Sequence, residues 1–174
     1  MAGSVSAPLI ICADFAPADL AQLDALRRAH YPPERNILPA HLTMLHALPP
    51  SAQGDARRQL AHPASGPPPR ALLAGLMNLG SGVAFRIVSD DLDAIRAALA
   101  DHFHGALTLQ DAHGWRPHVT IQNKVTSSVA RALQIDLERG FRPRQLGIAA
   151  LSLHRYLGGP WEAVARCPFR GSRP

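Results

Sequence analysis

Apolar residues fall in short runs of strand length, separated by stretches whose apolar positions recur at helical spacing. Leu9-Ile10-Ile11-Cys12-Ala13-Asp14-Phe15 is a β-type run. Leu20, Leu23 and Leu26 then predict a helix, begun at Pro17 and stopped by Pro32-Pro33. Ile37 to Leu48 reads as loop and strand, and a short helix is predicted over 53–61. Pro63 to Arg70 reads as a proline-rich connector. Strands over 71–79 and 83–88 flank a Gly80-Ser81-Gly82 turn. Ser89-Asp90-Asp91 then caps a helix with Leu92, Ile95, Leu99 and Phe103 on one face. A strand is predicted over 117–125, followed by a helix capped by Ser127-Ser128 and ending near Gly140. Runs over 146–157 and 161–169 around Gly158-Gly159-Pro160 predict a closing hairpin.

The order of these elements repeats. Strand, helix, polar loop and Pro39-Ala40-His41-Leu42-Thr43 form one unit; strand, helix, polar loop and Pro117-His118-Val119-Thr120 form the other. The repeated halves span about 9–48 and 83–125. Duplicated halves commonly pack about a pseudo-two-fold axis, which places the two His-x-Thr segments face to face. The expected fold is one bilobal α+β domain over 1–174.

With 174 residues, 47% of them apolar and 18% charged, the chain suits a single globular domain and excludes overall disorder. No apolar run nears the ~18 residues of a membrane span, and Met1 to Ala7 lacks the pattern of a secretory leader. Cys12 and Cys167 each sit in an apolar run, as buried free thiols do, so a cytoplasmic location is expected; a monomer is expected as well. Charge is uneven: net −2 up to residue 112 and net +7 beyond it. A basic C-terminal half suggests an anionic partner, RNA or a nucleotide.

In an unbroken strand, side chains alternate between faces. His41 and Thr43 then share a face with Leu45, while Leu42, Met44 and His46 share the other. His118, Thr120, Gln122 and Lys124 share a face, with Val119 and Ile121 turned to a core. Histidine titrates near neutrality, so one ring can accept a proton while the other donates one. Two such groups flanking a phosphate drive in-line displacement: one activates water and the other protonates the leaving oxygen. The threonine hydroxyls can hold the non-bridging oxygens. No metal or other cofactor is called for, and one histidine per strand with isolated cysteines is a poor zinc set.

PAHLTMLHAL and RPHVTIQNKV resemble the paired His-x-Thr motifs of the two-histidine (2H) phosphoesterases, a family that includes the RNA 2',3'-cyclic phosphodiesterases, also named 2'-5' RNA ligases. LSLHRYLGGPWEAVARCPF resembles the closing hairpin of bacterial members. The resemblance implies two pseudo-symmetric lobes of antiparallel sheet with outer helices and a central cleft, His41 as proton donor to the leaving group, His118 as base toward water, and Thr43 and Thr120 on the phosphate. It also marks departures. Asn123 stands where many members carry arginine, and His154 stands where many carry tyrosine.

Further candidates are weaker. His154 and Tyr156 face the cleft if Leu151, Leu153 and Leu157 face the core. Phe15 is a candidate to stack a base at the cleft edge. Lys124, the single lysine beside 17 arginines, would sit ~20 Å along a straight strand from His118, within reach of a phosphate two or three nucleotides away. His46 is expected to pack on the face away from His41. His102 and His104 read as helix-end residues and His113 as a loop residue. The expected activity is metal-independent hydrolysis of a 2',3'-cyclic phosphate on RNA or a small nucleotide, giving a 2'-phosphate. The alternatives are hydrolysis of another cyclic or 2',5'-linked phosphodiester, and a non-catalytic RNA-binding module.

Overall fold

The structure, a computed structural model, describes residues 6–173. Most of the Met1–Ala7 segment therefore lies outside the described residues. Among the described residues, eight strands form two four-stranded antiparallel sheets. The first holds β1 (Leu9–Phe15), β2 (Leu42–Leu48), β7 (Ile148–Tyr156) and β8 (Trp161–Pro168), in the order β2-β1-β7-β8. The second holds β3 (Ala71–Asn78), β4 (Val83–Val88), β5 (His118–Gln122) and β6 (Arg144–Leu146), in the order β5-β4-β3-β6. The strand that carries or directly follows each motif histidine is thus an edge strand, and these two edges approach each other.

Helix α1 (Pro17–His30) starts on Pro17, ends before Pro32 and packs against β5 of the opposite sheet. Helix α2 (Gln53–Ala64) covers β7 and β8, burying Ala56 and Leu60. It runs three residues beyond the predicted end and takes Pro63 into its last turn. Helix α3 (Asp90–His102) is capped by Ser89, whose Oγ accepts the Leu92 N–H at 3.0 Å. It packs between β2 and β3. A single turn, α4 (Leu109–Ala112), was not predicted; α5 (Ser127–Gly140) covers β3 and β4. The apolar core runs without a break from Leu9, Ile11, Leu45 and Leu151 of one sheet to Leu73, Phe85, Ile87 and Val119 of the other.

Three departures from simple alternation shape the site. On β2 the ladder to β1 slips by one residue, so Cys12 pairs with Thr43 but Ile11 with Leu45, leaving Met44 as the extra residue. On β5, Ala84 pairs with Thr120 but Val83 with Gln122, leaving Ile121 extra. Each slip comes directly after the motif threonine. The run predicted over 146–157 divides at Gly147: β6 pairs with β3, while β7 pairs with β1 and β8. A Cβ at Gly147 would lie 2.7 Å from the Ala16 Cβ, so only glycine fits where the chain passes between sheets.

Gly82 has a sharper constraint. A Cβ there would lie 1.9 Å from the Gln122 carbonyl oxygen, a backbone atom at the end of the motif strand. Gly82→Ala is therefore expected to lower stability by about 3 kcal/mol, or roughly 6–12 °C in Tm for a chain of this size. A thermal melt within 2 °C of wild type (about 1 kcal/mol or less) would show that the turn relaxes freely.

Candidate active site

His41 precedes β2 and His118 opens β5. Each ring makes the same local bond: Nδ1 of His41 lies 2.8 Å from the Pro39 carbonyl, and Nδ1 of His118 lies 2.7 Å from the Arg116 carbonyl. A carbonyl only accepts, so both Nδ1 atoms carry hydrogen and Nε2 is left for the groove. His41, Thr43, His118 and Thr120 line one groove of about 410 Å³. Trp115, Arg116 and Trp161 complete its walls. The four motif residues expected to meet do so.

Two buried arginines hold the motif strands from opposite sides. Arg27 of α1 donates Nη1 to the Thr120 carbonyl at 2.8 Å and Nε to Asn36 Oδ1 at 2.8 Å. Arg96 of α3 donates Nε to the Met44 carbonyl at 3.0 Å and Nη2 to the Asp111 carbonyl at 2.5 Å. They are 4% and 6% exposed. Trp115 adds a bond from Nε1 to the Thr43 carbonyl at 3.0 Å.

The two histidine environments differ. Burial pushes the His41 pKa down to about 4, opposed by the Pro39 hydrogen bond and reinforced by the charges of Arg27, His154 and His118. The His41 ring rests against Trp161, with centroids 4.8 Å apart, and the His154 ring lies 5.4 Å from the same indole. Burial lowers the His154 pKa, with Asp14 opposing. Its Nε2 lies 2.9 Å from Ser152 Oγ, and that hydroxyl donates to Asp14 Oδ1 at 2.5 Å. Ser152 thus accepts from His154 Nε2–H. Cys12 lies beside Thr43, and burial pushes its thiol pKa up, which makes it a poor nucleophile.

The other candidates fall differently. His154 and Phe15 border a second, mostly apolar cavity of about 460 Å³ on the other side of His41. Phe15 is 4% exposed and belongs to the core. Tyr156 lines a third pocket with Trp161 and Leu109, separate from His41. Lys124 is not on the motif strand. β5 ends at Gln122, and Lys124 sits in the following turn with φ of 63°, so the straight-strand reach from His118 does not exist. Gln122 also leaves the His118 face. Past the slip it pairs with Val83 under α5, 4% exposed and with Oε1 unpartnered. His46 moves the opposite way: the extra residue at Met44 brings it onto the groove side with Thr43.

A family model described as the 2'-5' RNA ligase superfamily matches residues 15–160. The chain belongs to the 2'-5' RNA ligase superfamily. This is the two-histidine phosphoesterase group to which the motifs pointed. Among curated proteins, none matches the sequence. The fold is similar to the crystal structure of TT0787 from Thermus thermophilus, at 17% identity and TM-score 0.60, covering 95% of this chain and 100% of that one. It is also similar to Escherichia coli LigT complexed with 3'-AMP, at 16% identity and TM-score 0.57, covering 94% and 98%. A structure described as a phosphoesterase aligns at 15% identity and TM-score 0.61, covering 94% and 98%. At these identities the likeness is one of fold. Among the described residues, no three His, Cys, Asp or Glu side chains gather as a metal site, and no helix is long and apolar enough to cross a membrane.

Trp161, Trp115, Arg27 and the His46–Asp111 contact did not figure in the sequence reading. The Gly158-Gly159-Pro160 turn places Trp161 at the start of β8, opposite Tyr156, but nothing local directs its indole toward His41.

The depressed His41 pKa has a measurable consequence. An anion between the rings favours the imidazolium and raises that pKa. Titration of the His41 ring signals by NMR should place it near 4 in the free protein, and a unit or more higher in saturating inorganic phosphate. An unchanged value with phosphate bound would place the anion away from His41.

Proposed function

We propose that this chain is a metal-independent cyclic phosphodiesterase. It opens 2',3'-cyclic phosphates on RNA ends or nucleotides to 2'-phosphates by two-histidine acid–base catalysis. One observation carries the reading. Two histidines, each held by Nδ1 on the carbonyl two residues before it, turn Nε2 toward one groove with a threonine beside each.

Water attacks phosphorus as His118 Nε2 takes its proton, and the P–O3' bond breaks as His41 Nε2 protonates O3'. Thr43 and Thr120 donate to the non-bridging oxygens, where preorganised donors in a low-dielectric groove count most. Burial leaves His41 neutral in the empty groove. The donor role therefore belongs to the complex, in which the phosphate anion offsets that burial. The apolar cavity beside His41, bordered by Trp161 and by His154, whose charged form burial disfavours, suits the face and edge of a nucleobase. That a LigT structure holds 3'-AMP supports a nucleotide as the ligand class.

His41→Ala and His118→Ala should each lower kcat on a nucleoside 2',3'-cyclic phosphate by ~10²-fold or more, and the double variant should be little worse than either single. Near-wild-type turnover in either single variant would end the two-histidine mechanism.

Product analysis gives a separate check. A 2'-phosphate should form, and activity should survive EDTA. A 3'-phosphate would reverse the leaving group, and loss of activity restored by added metal would replace the mechanism with a metal-assisted one.

A further inference from the structure

A third histidine enters the groove. His46 Nδ1 lies 2.8 Å from Asp111 Oδ1, and its ring lines both the motif groove and the pocket next to it. Asp111 comes from α4, 65 residues away in sequence, and is 1% exposed. Its carboxylate also accepts the backbone N–H of His46 at 2.8 and 3.0 Å and of Ala47 at 3.1 Å. These bonds hold β2 where its register shifts again, between the Ile11–Leu45 and Leu9–Leu48 pairs. Burial alone would raise the Asp111 pKa, but the bonds from the His46 ring and the two N–H groups outweigh it and hold the carboxyl below the usual range.

The consequence for His46 follows from charge. A carboxylate on Nδ1 orients the ring and leaves Nε2 for whatever lies in the groove; an anion there is bonded by the imidazolium form, which donates Nδ1–H to Asp111 and Nε2–H to the ligand. At about 3.3 Å per strand residue, with one residue absorbed by the irregular pairing, His46 stands roughly 7 Å beyond Thr43. That is one nucleotide step along a phosphate backbone, with Arg116 on the groove wall as a further cation. The cavity on the other side of His41 is mostly apolar and fits a base, whereas the His46 end offers the polar side chains of His46 and Arg116.

We propose that His46, held by Asp111, forms a second phosphate subsite that takes the 5'-phosphate of the nucleotide whose 2',3'-cyclic phosphate lies between His41 and His118. This rests on the cyclic phosphodiesterase reading above. It gives the groove a preference for RNA ends, whose terminal nucleotide carries a 5'-phosphodiester, over free nucleosides with a cyclic phosphate. The track along the substrate backbone passes His46 and not Lys124.

Both tryptophans of the chain line the groove, so their fluorescence reports occupancy without turnover. The wild-type protein should bind adenosine 2',5'-bisphosphate about tenfold more tightly than adenosine 2'-phosphate, and His46→Gln should reduce that ratio to less than twofold. The same change in preference should appear in kcat/KM for adenosine 2',3'-cyclic phosphate with and without a 5'-phosphate. No preference in the wild type, which needs no variant to test, would overturn the subsite. A preference unchanged in His46→Gln would place it elsewhere. Bisphosphate preference without turnover of either cyclic compound would support the subsite and sink the proposed reaction. Turnover of both compounds at equal kcat/KM would support the reaction and sink the subsite.

Discussion

Two buried guanidinium groups set the distance between the motif strands. The sheets share no ladder, so backbone pairing alone does not fix how the His41 segment faces β5. Arg27 leaves a helix that follows β1 and bonds the Thr120 carbonyl; Arg96 leaves a helix that follows β4 and bonds the Met44 carbonyl. Each half therefore grips the other half's motif strand. A buried guanidinium is costly unless its donors are matched, and here carbonyls and the Asn36 amide oxygen match them. The Arg27 charge also reaches the groove, where it helps to hold His41 neutral.

Within the strands so held, the slipped ladders decide which side chains the groove receives. A regular β2 would turn Leu45 into the groove and His46 into the core. The extra residue at Met44 exchanges them, so Leu45 is fully buried and His46 meets Asp111. A regular β5 would offer Gln122 to a ligand, but the extra residue at Ile121 sends it under α5. The two halves share the position of the slip and differ in its result: one brings the hydrogen-bonded His46–Asp111 pair to the groove and the other removes an amide from it.

The electrostatics grade along the same line. At one end, burial disfavours the charged forms of His41 and His154 beside an apolar cavity. At the other, a desolvated carboxylate sits behind an exposed imidazole near Arg116. A nucleotide has the same polarity, with a flat apolar base at one end and phosphates at the other. In the proposed complex the 2',3'-cyclic phosphate lies against the two His-x-Thr threonines, between the base and the 5'-phosphate.

The α+β class, the helix from Pro17, the Ser89 cap, the closing hairpin and the pairing of His41-x-Thr43 with His118-x-Thr120 were all legible in the sequence. They rest on local physics: periodic apolar positions, proline and glycine stops, and the repeated His-x-Thr spacing. The handover between sheets at Gly147, the slips after Thr43 and Thr120, the contact of Trp161 with His41 and the His46–Asp111 bond were not. Each depends on atoms brought together from far apart in the chain: Ala16 against Gly147, and α4 against β2. The face reading failed for Lys124 because the strand ends at Gln122, and for Gln122 and His46 because the ladders slip. Period-two alternation holds only while the ladder stays in register, and register is set by the partner strand rather than by the residues of the strand itself.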